Sequence, residues 1–217
     1  MQTPDPHPHR LQEPSSWVIR FSPLIAPGSR VLDVACGHGR HTRLLASRGH
    51  RVTAADRDAA ALAGLSGVTA VTCVQADLEA APWPFAPASF DAVIVTNYLH
   101  RPLLPHIAAS LRGGGILIYE TFMAGNERFG KPSNPDYLLR PHELLGAFAS
   151  LYVVGFEQGV EQSPAPRAVQ RIAALAVQPA AALQRTGGAI IGSAAQAAGV
   201  GQGDTGPFPL PAAGQID

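Results

Sequence analysis

Three carboxylates, those of Asp33, Asp56 and Asp77, stand at the ends of apolar runs in the first half of the chain. Two glycines, Gly37 and Gly39, follow the first of them and leave the backbone there without bulky side chains. A carboxylate binds cations and accepts hydrogen bonds, whereas the free N–H groups at a helix start bind anions. The set therefore predicts a site for a small ligand that carries both kinds of group.

The glycine spacing argues against a dinucleotide as that ligand. Dinucleotide sites use the pattern GxGxxG, and the segment "GHGRHT" has Thr42 in place of the third glycine. The carboxylate of Asp33 would also repel a pyrophosphate. S-adenosylmethionine fits better, because its ammonium can pair with Asp33 and its carboxylate can face the helix N–H groups near Gly39.

The other two acids suit the adenosine part of the same molecule. Asp56 follows the first acid at about the 20-residue separation at which an acid accepts hydrogen bonds from ribose hydroxyls. Asp77 can accept a hydrogen bond from the adenine amino group while Leu78 packs on the ring. NAD sites share the ribose acid, so it is the third strand-end acid that makes the set specific.

The elements that must position these residues alternate along the chain. Apolar strand patterns alternate with helical ones from "RVLDVA" through "LLPHIAASLRGG" to "GILIYETF", which predicts a parallel sheet covered on both faces. A helix containing Pro141 in its first turn precedes two final strands, and the short segment "EQSPAPR" between these makes them antiparallel. The predicted fold is α/β, a Rossmann-like doubly wound seven-stranded sheet, mostly parallel with the last strand antiparallel.

Composition changes mark three regions. Residues 1–14 are rich in Pro and His and are predicted to form a disordered tail. Residues 15–177 are predicted to form the domain, beginning with a short helix that Ser15 or Ser16 caps and that places Trp17, Phe21 and Leu24 on one face. Residues 178–217 are predicted to be a low-complexity extension rich in Ala, Gly and Pro.

With these positions in order, the sequence resembles the class I S-adenosylmethionine-dependent methyltransferases. The similar segments are "VLDVACGHGRHTRLLA", "VTAADRD", "VQADLEAAPWPFAPASFDAVIV" and "LRGGGILIYETF". A narrower similarity, to small bacterial methyltransferases of the tellurite-resistance or thiopurine type, implies no substrate. Ala35 replaces the family's usual first glycine. The resemblance implies cofactor contacts from Asp33, Ala35, Gly37, Gly39, Asp56 and Asp77.

Further candidates follow the fourth and fifth predicted strands, beside the expected position of the transferred methyl group. Asn97 is expected to contact the methionine part of the cofactor, and Tyr98 and His100 are expected to face the acceptor. His100 can act as a general base near neutral pH, or it can cap the following helix. Glu120 is either a catalytic residue or the partner of another charge, because a buried carboxylate needs one or the other.

The segment "AGNERFGKPSNPDYLLR" is long for a connection in a compact domain. It is predicted to close over the acceptor, with Phe129 and Lys131 touching it. The HxxH pattern of His38 and His41 has no acid nearby, so no metal site is expected.

Composition also limits the partners. The formal net charge of the 217 residues is zero, which argues against nucleic acid and anionic membranes as partners. No apolar run is long enough to span a bilayer. The two cysteines lie far apart, as expected of a reduced, cytoplasmic protein. The sequence leaves the oligomeric state open.

The predicted function is transfer of a methyl group from S-adenosylmethionine to a small-molecule acceptor by in-line displacement. A nicotinamide-dependent short-chain oxidoreductase is one alternative, but it requires a lysine four residues after a tyrosine, and none of the four tyrosines has one. A cofactor-binding protein without catalysis is the other alternative, and its ligand loop would look the same.

Overall fold

The computed structural model describes residues 13–163 and 165–177. Seven strands form one sheet: β1 (Arg30–Val34), β2 (Arg51–Asp56), β3 (Val71–Gln75), β4 (Phe90–Thr96), β5 (Leu111–Phe122), β6 (Leu151–Glu161) and β7 (Arg167–Ala176). Their order is β3-β2-β1-β4-β5-β7-β6. The first five strands pair in parallel, and β7 is antiparallel to both of its neighbours. The predicted α/β sheet with a reversed last strand is confirmed.

Helices cover both faces of this sheet, so it is doubly wound. One face carries α1 (Ser16–Phe21), α2 (Arg40–Ser47) and α3 (Ala59–Ala63), and the other carries α4 (Leu104–Ala109) and α5 (Glu143–Ala147). Alternate residues of each strand point to opposite faces, which is why Leu117 and Ile118 belong to different buried clusters. None of the helices in the described ranges is long and apolar enough to cross a membrane.

Residue types that are common at helix ends fix three of them here, and the cap by Ser15 is one that the sequence predicted. The Ser15 side chain accepts a hydrogen bond from the Trp17 N–H and caps α1. The Asp58 side chain caps α3 in the same way, through two N–H groups. Gly49 takes a left-handed conformation, with φ +84°, just beyond the end of α2.

Three local predictions are wrong. The helix predicted over "LLPHIAASLRGG" ends at Ala109, because Leu111 already pairs with β4 and Gly114 has φ +83°, which an α-helix excludes. Leu24 is exposed, because α1 ends at Phe21 and a 3₁₀ turn follows. Pro141 precedes α5, because His142 takes a left-handed conformation between them.

Two predicted regions cannot be compared with the structure. The N-terminal tail, residues 1–14, lies outside the described residues except for Glu13 and Pro14. The extension, residues 178–217, lies wholly outside them.

Candidate active site

The carboxyl ends of β1 to β4 surround a cleft of about 180 Å³. The order of strands reverses between β1 and β4, and ligands of open α/β sheets bind at such a switch point. The cavity is smaller than the roughly 300 Å³ at which pockets for whole small molecules begin, so it suits one part of a ligand. Its lining consists of Ala35, Asp56, Arg57, Ala76, Asp77, Leu78, Glu79 and Tyr98.

The loop between β1 and α2 owes its shape to left-handed backbone. Gly37 and Gly39 have φ +53° and +75°, and Ala35 has φ +50°, a conformation that is costly for a residue with a Cβ. A Cβ on Gly39 would clash with the methyl carbons of Leu65, whereas one on Gly37 would meet nothing within 4 Å. Gly39 is therefore required by packing, and Gly37 leaves open space.

Asp33 lies beneath this loop and is 1% exposed. Its Oδ2 accepts a hydrogen bond of 2.6 Å from the Thr42 hydroxyl. Burial raises the pKa of Asp33 to about 6, against the opposing effect of that hydrogen bond. Thr42, the residue that departs from the dinucleotide pattern, thus supplies the partner that the buried carboxylate needs. Asp33 does not line the cleft, and its predicted pairing with an ammonium stays a prediction.

Asp56 and Asp77 both line the cleft, and both also hold the backbone around them. Asp56 accepts hydrogen bonds from the N–H groups of Gly37 (2.7 Å) and Asp58 (2.9 Å). Asp77 accepts hydrogen bonds from the N–H groups of Glu79 (3.0 Å) and Ala80 (3.2 Å). A carboxylate has about four acceptor positions, so each side chain can also accept from a ligand hydroxyl or amino group.

Tyr98 lines the same cleft, and its predicted contact with the acceptor stays a prediction. Asn97, which precedes it, has φ +54° and turns the chain at the end of β4. The Tyr98 hydroxyl is buried and has no hydrogen-bond partner in the described ranges. Burial raises the pKa of Tyr98 above its ordinary value, and the Glu79 carboxylate raises it further, because it lies close enough to attract the hydroxyl proton without making a well-formed hydrogen bond. The phenol is therefore protonated at neutral pH and is a hydrogen-bond donor.

Asn97 and His100 lie outside the cleft lining. Asn97 is exposed, and its backbone N–H donates to the carbonyl of Glu120 at 2.9 Å. His100 is half-buried and precedes a 3₁₀ turn, but its side chain makes no capping hydrogen bond. The structure thus contradicts the capping role predicted for His100. Its other predicted role, that of a general base, stays a prediction.

Glu120 has the charge partner that was one of its two predicted alternatives. It is 1% exposed, and its Oε2 accepts a hydrogen bond of 2.5 Å from Nε of Arg171, directly opposite on β7. Arg167 lies 3.7 Å from the other oxygen, and Glu161 bonds to both arginines. The carboxylate thus has its charge partners inside the protein, and the catalytic role predicted for Glu120 stays a prediction.

The predicted lid is held at both ends. Buried Asn126 accepts a hydrogen bond from the N–H of Ala168 on β7 and donates one to the carbonyl of Pro132. Arg101 donates to the carbonyls at positions 136 and 138 and pairs through two nitrogens with Glu143. Phe129 and Lys131 are exposed between these attachments, and neither lines the cleft.

Three residues of the cleft, Arg57, Ala76 and Glu79, are absent from the predicted set. In the sequence, these residues could have been found from their position next to Asp56 and Asp77 at the ends of strands.

Buried His41 accepts a hydrogen bond from the Ser15 N–H at 3.0 Å, which ties the start of α1 to α2. Across the described residues, no group of three His, Cys, Asp or Glu side chains could hold a metal ion.

Comparisons with known proteins agree with this geometry. Residues 31–115 match a family model described as a methyltransferase domain. TehB from Haemophilus influenzae is similar in structure (17% identity, TM-score 0.64), with 75% of this chain and 62% of TehB covered, so this chain spans less than two thirds of TehB. A SAM-dependent methyltransferase from Methanosarcina mazei is also similar (13% identity, TM-score 0.60), and the match covers 77% of this chain and 100% of that protein. A putative S-adenosylmethionine-dependent methyltransferase from Listeria monocytogenes is similar as well (14% identity, TM-score 0.58), and the match covers 75% of this chain and 98% of that protein. No curated protein matches the chain.

Proposed function

We propose that this chain, which carries a class I S-adenosylmethionine-dependent methyltransferase domain, transfers a methyl group to a small-molecule acceptor. Its cofactor is S-adenosylmethionine. The observation that carries the proposal is the convergence of Asp56, Asp77 and Leu78 on one cleft at the switch point of the sheet.

The chemistry of the cleft fits an adenosyl group. Asp56 and Asp77 offer acceptors for ribose hydroxyls and for the adenine amino group, and Leu78 is a buried apolar side chain beside them. Glu79 adds a third acid to the lining, against the single cation Arg57. Such an acidic cleft repels phosphates, which speaks for a cofactor without phosphate and against a nicotinamide dinucleotide.

The cofactor supplies the methyl group when bound. The residues of the chain hold the two reactants in line and exclude water, and alignment of this kind lowers a barrier by as much as about 7–11 kcal/mol. His100 is the candidate general base, because it follows β4 and its side chain is not used to cap the 3₁₀ turn after it. An acceptor sulfur would need no base, whereas a hydroxyl would.

Three observations support a small acceptor and a cytoplasmic location. The chain has no net charge, so it lacks the long-range attraction for polyanions that nucleic-acid enzymes use. The exposed part of the lid carries Phe129 and Lys131, which are free to contact an acceptor. The cysteines Cys36 and Cys73 are both free, as expected in a reducing compartment.

Calorimetry with S-adenosylhomocysteine tests the cofactor site. Asp56→Ala should weaken binding by about 1.5–3 kcal/mol, the range for a hydrogen bond to a charged group. Asp91→Ala is the matched control, because Asp91 also accepts a hydrogen bond from a backbone N–H (that of Arg30) but lies at the amino end of β4. Equal affinities for wild type and a folded Asp56→Ala variant would contradict the proposal.

Mass spectrometry tests the transfer itself. The protein is incubated with S-adenosylmethionine and a metabolite extract, and products heavier by one methyl group are sought. Such a product should appear with wild type and be strongly reduced with Asp56→Ala. Tight binding of the cofactor without any product would favour the cofactor-binding protein without catalysis.

A further inference from the structure

One polar atom of the cleft is left without a partner. The hydroxyl of Tyr98 is buried, and no donor or acceptor within residues 13–163 and 165–177 makes a hydrogen bond to it. The fully buried Tyr119 shows the usual situation, because its hydroxyl donates to the carbonyl of Tyr98 at 2.9 Å. Buried hydroxyls are almost always paired, so an unpaired one that lines a cavity points to a group that is brought by a ligand.

The neighbours of Tyr98 restrict what that ligand group can be. The ionised side chains of the cleft are Asp56, Asp77, Glu79 and Arg57. The three carboxylates can only accept hydrogen bonds, so they serve the donors of an adenosyl group, its ribose hydroxyls and its amino group. The ring nitrogens of adenine accept hydrogen bonds. Burying them beside an uncharged donor costs less desolvation free energy than burying them beside a charged one.

Tyr98 is the neutral side-chain donor among the residues that line the cleft. Asp77, Leu78 and Glu79, which follow β3, line the same cleft, and Leu78 is buried and apolar. The hydroxyl therefore shares the cleft with the residues predicted to hold the base.

We propose that the Tyr98 hydroxyl donates a hydrogen bond to a ring nitrogen of the cofactor's adenine and so helps to select the base. This inference rests on the cofactor assigned above. It makes Tyr98 a specificity-determining residue of the cofactor site, in place of the acceptor contact that its position in the sequence suggested.

The test is a double-mutant cycle between Tyr98→Phe and the base. Affinities of wild type and variant are measured by calorimetry for S-adenosylhomocysteine and for its 1-deaza, 3-deaza and 7-deaza analogues, each of which lacks one ring nitrogen. Tyr98→Phe should weaken binding of S-adenosylhomocysteine about tenfold, the effect of one net hydrogen bond. For one analogue the variant and wild type should bind equally, and that analogue identifies the nitrogen.

A second measurement separates ligand recognition from a structural role. Without ligand, Tyr98→Phe should melt no lower than wild type, because it removes a hydroxyl that has no partner in the described ranges. Tyr119→Phe should melt lower, because it removes a hydroxyl that has one. Tyr152→Phe, at an exposed position, is the control that should change neither melting temperature nor affinity.

Three results would overturn the inference. The first is a Tyr98→Phe variant that binds S-adenosylhomocysteine as wild type does. The second is an equal loss for all three deaza analogues, and an identical loss in Glu79→Gln would then show that the hydroxyl acts through Glu79. The third is a lower melting temperature of the ligand-free variant. If wild type binds no S-adenosylhomocysteine at all, the cofactor assignment fails first and this inference with it.

Discussion

Burial moves the pKa of Asp33 from 3.8 to about 6, because the Thr42 hydrogen bond and the Arg40 charge only partly replace the lost water. The ionised side chain is thus held in the folded protein at a cost in stability. Such a cost is common where a charge serves a ligand, and the predicted ligand group here is the cofactor's ammonium. With the predicted ammonium contact, cofactor binding would depend on pH in the same range as stability does.

Asp33→Asn should remove this cost. The folded pKa of about 6 exceeds the unfolded value of 3.8, so the folded state binds the proton more tightly, and wild type loses stability as pH rises through this window. Above the window the loss amounts to at most about 3 kcal/mol. Urea unfolding should show the Asp33→Asn variant to be more stable than wild type near pH 7.5, with the difference shrinking toward pH 4. A difference that does not depend on pH would contradict a raised pKa.

The same variant tests the predicted ammonium contact. It should weaken binding of S-adenosylhomocysteine and leave binding of 5'-methylthioadenosine, which lacks the amino-acid part, within about threefold. Equal losses for both ligands would place the effect in the shape of the loop instead.

Some residues of the site could be predicted from the sequence because their position depends on local pattern. Asp56, Asp77 and Leu78 follow apolar runs, and parallel strands bring such ends to one edge. Which residue pairs with Glu120 could not be predicted, because Arg171 is 51 residues away and is placed by pairing between β5 and β7. The direction of Tyr98 depends on a left-handed turn at Asn97 that no local pattern indicates.

At the scale of elements, the end of α4 and the start of β5 could not be predicted from the local sequence pattern either. The periodicity of "LLPHIAASLRGG" fits a helix, yet the strand pairing of Leu111 and Ile116 with β4 overrides it. A register shift between the pairs Phe90–Leu111 and Ala92–Ile116 places Arg112 and three glycines of β5 opposite Asp91 alone. Pairing across the sheet is a long-range interaction, and local propensity is a weak guide where it competes.

The predicted lid between β5 and α5 has two parts: a held part, which is hydrogen-bonded to the rest of the domain, and a free part between the two attachments. Asn126 fixes its base to β7, and Arg101 fixes its end to the segment after β4. The exposed side chains of Phe129 and Lys131 lie in the stretch between them. Closure over an acceptor would therefore involve this short stretch only.

Replacing both Phe129 and Lys131 by alanine should raise the acceptor's KM or lower kcat, because the acceptor would lose an apolar and a charged contact. Affinity for S-adenosylhomocysteine should change by less than about threefold, because neither residue lines the cleft. Tyr137→Ala is the control, an exposed aromatic residue in the held part of the same lid. A matching loss of cofactor affinity would place the lid on the cofactor, and unchanged kinetics would leave it as a surface loop.

At the scale of the whole molecule, the topology of the sheet gathers the site from residues that are distant in sequence. The strand order reverses at β1, so the loops after β1 and β4 diverge there and open the cleft. This reversal of strand order is shared with proteins that bind dinucleotides, so it cannot by itself assign the ligand. The assignment has to come from the acids that line the cleft.

Melting temperatures of the intact chain with and without each ligand test whether the cleft binds S-adenosylhomocysteine or a dinucleotide. A ligand present at about 100 times its Kd stabilises the folded state by about 2.7 kcal/mol. For a domain of this size each kcal/mol shifts Tm by about 2–4 °C, so S-adenosylhomocysteine should raise Tm by about 5–11 °C. NAD at the same concentration should leave Tm unchanged, because Asp56, Asp77 and Glu79 repel its pyrophosphate. A shift with NAD and none with S-adenosylhomocysteine would instead support the oxidoreductase alternative. A shift with both would mean that the acids of the cleft do not select between the two ligands.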